Sequence, residues 1–150
     1  MKKILGVLLL VLVIASGCTK SSGTLTCKSN ITSDNSTYKI KMESKVTYKN
    51  NIVERVTTTE EITTTTVEQA TSFKELLDNA YAKYNEVTGF TNVIEQKDKK
   101  IISKTTIDYK NIATEKLISI DESNKNLIKD GKVSIEDMKK NLEENGATCK

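Results

Sequence analysis

The chain lacks three residue types entirely, since its 150 residues include no histidine, no proline and no tryptophan. Histidine is the commonest general base and the commonest metal ligand, so both kinds of site lose their usual residue. The 20 acidic residues form no calcium-loop pattern, and neither a phosphate-binding glycine loop nor a nucleophilic serine motif is present. We therefore expect no catalytic residues, no metal site and no cofactor.

Arginine is almost absent as well, because Arg55 is the only one among 23 basic residues. The formal net charge is +3, and part of it comes from Lys2 and Lys3 at the start of the chain. Nucleic-acid-binding domains usually combine a basic stripe with arginine or stacking aromatics, and neither is visible here. Nucleic acid is therefore excluded as an expected partner.

The first eighteen residues have the order of a bacterial lipoprotein signal. Two lysines precede an apolar run at residues 4–14, and Ala15-Ser16-Gly17 stands directly before Cys18. As a helix the apolar run would span about 16 Å, roughly half of a bilayer core, which disfavours a transmembrane anchor. We expect cleavage before Cys18 and lipidation of its thiol. A signal cut elsewhere, leaving Cys18 a plain thiol, is the alternative.

This interpretation divides the chain into a signal peptide (1–17), a lipidated tether (18–24) and a single domain (25–150). It also predicts the location of the protein, which is the extracytoplasmic face of the cell membrane, reached through the lipid anchor. No other apolar stretch is long enough to cross a bilayer.

The two remaining cysteines, Cys27 and Cys149, stand near opposite ends of the predicted domain. In an oxidising compartment an even pair favours a disulfide, which would join the first strand to the C-terminus. Two free thiols or a catalytic dithiol are the alternatives, although redox centres usually place their cysteines close together in sequence.

Alternating apolar residues predict an antiparallel sheet. A short strand opens at Leu25, and the clearest strand follows at residues 38–48, with its apolar residues at even positions. Asn50-Asn51 predicts a hairpin turn into a threonine-rich strand at residues 52–66, which contains a bulge. A second hairpin is predicted from Phe90 to Tyr109.

Helical spacing predicts two helices. The first begins with a capping box at Ser72 and Glu75 and ends at Gly89; its expected inner face is Phe73, Leu76, Leu77, Ala80, Tyr84 and Val87. Ser134 caps the second. Residues 112–120 fit either a strand or a short helix, and Asp130-Gly131 predicts a turn. The expected class is α+β, an antiparallel sheet with about two helices packed on one face.

The order of these features resembles the YehR-like family of small bacterial lipoproteins, whose function is unknown. The resemblance rests on the threonine-rich strand, the helix through Phe73 and Tyr84, the run Gly89-Phe90-Thr91, and residues 133–146. It implies the α+β fold of that family and brings no catalytic residues with it.

Two functional hypotheses remain. The first is a non-catalytic envelope module that binds a protein or a cell-wall component at the membrane surface. The second is a small-molecule carrier or sensor with a pocket between the first helix and the sheet, near Tyr81, Tyr84 and Phe90. Asp108 is the one carboxylate that merits attention, and strand alternation predicts that it lies opposite the buried face.

Overall fold

The computed structural model describes residues 21–35 and 37–150, and within them six strands form one antiparallel sheet in the order β4-β5-β3-β2-β1-β6. The strands are β1 (Gly23–Thr32), β2 (Tyr38–Lys49), β3 (Ile52–Thr64), β4 (Phe90–Lys97), β5 (Lys100–Asp108) and β6 (Thr148–Cys149). The helices are α1 (Val67–Tyr81), α2 (Thr114–Ile120), α3 (Asn124–Leu127) and α4 (Ile135–Glu144).

The predicted α+β class is confirmed. The predicted number of helices is not, because the described residues contain four helices instead of about two. The predicted signal peptide (1–17) and the lipidation residue Cys18 lie outside the described residues.

The β2–β3 hairpin turns at Asn50 and Asn51, as predicted, with φ values of 52° and 62°. Both residues are left-handed, which gives the two-residue turn the twist that the flanking strands need. The predicted bulge is also present. Thr47 pairs with Arg55 while Tyr48 pairs with Val53, so Glu54 is the extra residue.

Alternate residues of the strands form one face of the sheet, here called the inner face, and pack against the helices in two clusters. In the first, Val46 and Val56 join Leu117 of α2 and Met138 of α4. In the second, Ile62 and Ile101 join Ala70 of α1, with Phe73 and Leu77 packed against them. Full burial of an aliphatic or aromatic side chain contributes roughly 1.5–3 kcal/mol, so these clusters hold helices and sheet together.

The N-cap of helix α1 lies six residues before the predicted cap at Ser72. Thr66 is the N-cap, and its hydroxyl accepts a hydrogen bond from the Gln69 N–H at 3.2 Å. The Gln69 carboxamide oxygen in turn accepts from the N–H of Thr65, the residue before the N-cap, at 3.2 Å, so reciprocal hydrogen bonds close the first turn inside the threonine run. The prediction of a cap at Ser72 is therefore wrong, and Leu76, expected on the inner face, is 65% exposed.

The end of α1 also differs from the prediction. The helix stops at Tyr81, residues 84–86 form a 3₁₀ turn, and Gly89 lies in the turn that enters β4 with φ 85°. A Cβ at this position would come within 2.8 Å of the Ile112 Cα, so only glycine fits there.

The segment between β5 and α4 contains two short helices, α2 and α3. Of the two alternatives for residues 112–120, the helix is correct, since α2 covers most of them. The predicted turn is present, because Lys129 and Lys132 bridge across Asp130 and Gly131. The Ser134 hydroxyl accepts from the Asp137 N–H at 3.0 Å, as the predicted cap requires.

The two possible caps of α1 can be separated by substitution. Thr66→Ala removes the observed cap and is expected to lower the free energy of unfolding by about 1 kcal/mol. Ser72→Ala, inside the helix and exposed, is the matched control and should change it by less than about 0.5 kcal/mol. Urea unfolding followed by circular dichroism measures both, and a larger loss in Ser72→Ala would contradict the observed start of the helix.

Candidate functional site

The predicted disulfide is present in the structure. Cys27 of β1 and Cys149 of β6 lie opposite each other in the antiparallel register and are bonded through their sulfur atoms. Cys27 is only 1% exposed. The two cysteines are 122 positions apart in sequence, and closing a loop of that length is expected to stabilise the fold by about 2–5 kcal/mol. The disulfide therefore has a structural role at the edge of the sheet.

The other face of the five long strands, here called the open face, is strongly polar. Its 24 strand positions carry nine threonines, eight basic and four acidic residues. They are the alternate positions 24–32 of β1, 39–47 of β2, 55–63 of β3, 91–97 of β4 and 100–108 of β5. The open face therefore has a formal net charge of 8 − 4 = +4. Residues 21–150 carry 20 basic and 20 acidic side chains in all, so the residues outside the open face have a net charge of −4.

Two acidic residues in the middle strands of the open face, Glu43 and Glu61, are paired with neighbouring cations. Glu43 accepts from Lys28 at 2.8 Å and from Lys45 at 3.3 Å, and Glu61 pairs with Lys100 at 3.1 Å. The hydrogen bonds from Lys28 and Lys45 lower the pKa of Glu43 below its usual value. The pairs are exposed and each contributes little to stability, so their main effect is to leave a surface on which positive charge dominates.

Asp108 lies on the open face, as strand alternation predicts. Its carboxylate accepts from the Asn111 amide at 3.1 Å and the Lys110 N–H at 3.1 Å, and it pairs with Arg55 at 3.5 Å. The Asn111 bond, followed by the Lys110 and Arg55 contacts, lowers the pKa of Asp108. This carboxylate closes the turn after β5 and stays ionised.

A band of polar side chains crosses the inner face between the two apolar clusters. The Ser44 and Thr58 hydroxyls bond each other at 2.9 Å, and the Asn92 amide donates to Ser103 at 3.0 Å and to Thr105 at 2.8 Å. This polar band consists of Ser29, Ser44, Thr58, Glu60, Asn92, Ser103 and Thr105. Ser29, Ser44 and Ser103 are buried, and the other four members of the band are half-buried.

Glu60 is the charged member of the polar band. It pairs with Met42 on one side and Ser103 on the other, and its carboxyl makes no ion pair or hydrogen bond with the described residues. Burial raises its pKa. The Ser29 hydroxyl, in the same row of the sheet, is buried without a partner among the described residues. Two groups that can bind a polar ligand are thus held on the inner face.

The three aromatic residues predicted to line a pocket lie together. The ring centroids of Tyr84 and Phe90 are 5.4 Å apart, those of Tyr81 and Phe90 are 6.0 Å apart, and those of Tyr81 and Tyr84 are 6.4 Å apart. Burial, and then the negative charge of Glu60, raise the pKa of Tyr81. The aromatic cluster therefore lies close enough to the polar band for Tyr81 to be influenced by the charge of Glu60.

The sequence analysis did not single out Glu60, which the structure places half-buried on the inner face. The alternation of β3 was the available signal, since it places Glu60 on the face of Val56 and Ile62. Within residues 21–35 and 37–150, no three histidine, cysteine or acidic side chains gather as a metal site would require. No helix of this part is both long and apolar enough to span a bilayer.

Comparison with known proteins identifies relatives without a known activity. The sequence profile of a family described as protein of unknown function, DUF1307, matches residues 30–148. No curated protein matches the sequence. The NMR structure of the Escherichia coli YehR protein is 18% identical, with a TM-score of 0.58 over 85% of this chain and 91% of that one. The NMR structure of a protein from Streptococcus pneumoniae TIGR4 is 17% identical, with a TM-score of 0.55 over 100% and 96%.

These matches confirm the YehR-like resemblance expected from the sequence. At this level of identity the two NMR structures show only that the fold is shared. The function of each site must therefore be inferred from the residues of this chain.

Substitution of Glu60 tests its environment. The pKa of Glu60 is higher in the folded protein than in the unfolded chain. Its contribution to the free energy of unfolding is therefore fully present below the unfolded pKa and is lost as the pH rises through the folded pKa. Glu60→Gln should therefore raise the thermal midpoint at pH 7–8, and the gain should shrink toward pH 4. Differential scanning calorimetry across this range measures the gain.

Glu61→Gln is the matched control, one residue away on the open face, and should alter the free energy of unfolding by less than about 0.5 kcal/mol at pH 7. If the thermal midpoint of Glu60→Gln at pH 7–8 were lower than that of the wild type, the carboxyl of Glu60 could not be unpaired and partly removed from water.

Proposed function

Because the chain belongs to the DUF1307 family, whose function is unknown, we propose its role from its own sequence and surface. It is a lipoprotein attached through Cys18 to the extracytoplasmic side of the cell membrane. There it acts as a non-catalytic module that binds an envelope component. The helices lie on the inner face of the sheet, and the open face is the binding surface.

The short tether between Cys18 and β1 would keep the domain close to the membrane. Strand β1 begins at Gly23, and the Asn51 N–H donates to the Ser21 carbonyl at 2.8 Å. The five residues from Cys18 to Gly23 reach at most about 18 Å when extended. The end of the sheet at Asn50 and Asn51 is therefore nearest the bilayer.

The composition of the open face is the observation that carries the binding role. A solvated sheet face needs only scattered polar residues, whereas this one combines nine threonines with eight basic residues. Ammonium, guanidinium and hydroxyl groups are all hydrogen-bond donors, so the face is suited to a partner rich in acceptors. The absence of histidine and of any nucleophile motif from the sequence favours binding over catalysis.

Palmitate labelling tests the anchor. In cells fed labelled palmitate, wild-type protein should carry the label in the membrane fraction, and Cys18→Ala should carry none, because the thiol that takes the lipid is gone. Cys27→Ser with Cys149→Ser is the matched control and should keep the label. Retained label in Cys18→Ala would refute the anchor.

The second arm of the experiment addresses binding. A photo-reactive residue replacing Thr59, on the open face, should give covalent adducts in intact cells, whereas one replacing Lys140 on α4 should give few. Equal adducts at the two positions would exclude the open face as the binding surface.

A small-molecule carrier or sensor is the second candidate, and the polar band favours it. Glu60 and Ser29 lie on the inner face without a partner among the residues that the structure describes, and Tyr81 lies beside the band. A ligand with a positively charged or hydroxyl group would satisfy them.

Native mass spectrometry of the protein purified from its own membranes tests this candidate. A retained ligand should appear as added mass in wild type and in Glu61→Gln, and it should be lost in Glu60→Gln because its ionic partner is removed. The bare mass in all three would exclude the carrier.

A further inference from the structure

Three shallow depressions adjoin on the open face. The first has a volume of about 430 Å³, the second about 370 Å³ and the third about 330 Å³. Glu43 and Thr59 line both the first and the second, and Lys28 lines both the second and the third. Shared walls make them one continuous surface, here called the track, that runs across the strands from β6 to β5.

Basic side chains dominate the track. The two larger depressions contain five of them, namely Lys28, Lys41, Lys45, Arg55 and Lys104. They contain two acidic residues, and both are already paired: Glu43 with Lys28 and Lys45, and Glu61 with Lys100 outside the track. Lys41 and Lys104 make no ion pair with the described residues, so their charges are available to a partner.

Hydroxyl groups lie between these cations. Thr24, Thr57 and Thr59 line the first depression together with Lys45 and Lys104. Phosphate oxygens accept hydrogen bonds from hydroxyl, ammonium and guanidinium groups alike, and arginine and lysine are the usual residues that bind them. The chemistry of the track therefore matches a ligand that carries phosphate.

The shape of the track favours a chain over a single small anion. Five adjacent strands at about 4.8 Å spacing give it a length of roughly 19 Å. Each depression is shallow and open to solvent, so no one of them encloses a ligand. A linear polymer can contact all three at once and gain from several weak sites together.

Resting on the proposed function, we propose that the open face binds a linear phosphate polymer of the cell envelope, held along the track by Lys41, Lys104 and Arg55. A polymer suits this position better than the lipid surface does. Lys41 is seven residues along β2 from Tyr48, next to the membrane-proximal turn, and so lies about 23 Å from that end.

The binding experiment uses the full-length, detergent-solubilised lipoprotein and long-chain inorganic polyphosphate as the probe. Wild type should bind, with an affinity that falls as salt rises. Lys41→Gln with Lys104→Gln should weaken binding about tenfold, since two unpaired cations are lost. Lys139→Gln with Lys140→Gln removes the same charge from α4 and should stay within about twofold of wild type. Equal thermal midpoints for the two pairs verify that both remain folded.

Three results would overturn the proposal. They are no binding of polyphosphate by wild type, equal weakening by both lysine pairs, and stronger binding to phosphatidylglycerol vesicles than to polyphosphate with the same dependence on Lys41 and Lys104. Failure of this inference is distinct from failure of the proposed function. Adducts at Thr59 that consist of protein alone would keep the binding module and exclude the polymer.

Discussion

The register between β2 and β3 is the constraint on which both faces of the sheet depend. It is set by two left-handed asparagines at the turn and one extra residue, Glu54, at the bulge. Because side chains alternate with a period of two, a slip of one residue would exchange Val46 for Lys45 on the inner face. The apolar clusters, the polar band and the positive open face all follow from this one alignment.

The inner face does not form one continuous core. Helix α1 packs on Ile62 and Ile101, α2 and α4 contribute to a separate cluster around Val46 and Val56, and the polar band lies between. Five members of the band are joined by hydroxyl and amide hydrogen bonds, whereas Glu60 and Ser29 have no partner among the described residues. Removing a carboxyl from water without a partner is costly, and such groups cluster at functional sites, which is why the half-buried Glu60 is the second candidate site.

The sequence predicted the strands and hairpins well because their signals are local. Alternating apolar residues predicted which side chains of β2 share a face, and Asn50-Asn51 predicted the turn that follows it. Ser134 predicted the start of α4. The start of α1 was not predicted because its N-cap, Thr66, lies inside a run of threonines whose composition is typical of a strand. The end of α1 was not predicted because Gly89 is not a helix stop. Glycine is needed there because the Ile112 backbone packs closely against it, and no local sequence pattern shows this contact.

The sites depend on strand order, which the sequence does not display. Strand β5 pairs with β3 as well as with β4, and this places Lys104 beside Thr59 and Ser103 beside Glu60. Both the track and the polar band exist because of these neighbours. The aromatic residues Tyr81, Tyr84 and Phe90 could be grouped beforehand, since they lie within ten positions of one another in the chain.

The Cys27–Cys149 bond determines what proteolysis can release. Almost every peptide bond of the domain lies inside the loop of 122 residues that the disulfide closes. A protease that cuts once anywhere in this loop leaves two pieces that are still covalently joined, so nothing departs until the bond is reduced. Only a cut before Cys27 would shed the intact domain from whatever holds its amino terminus.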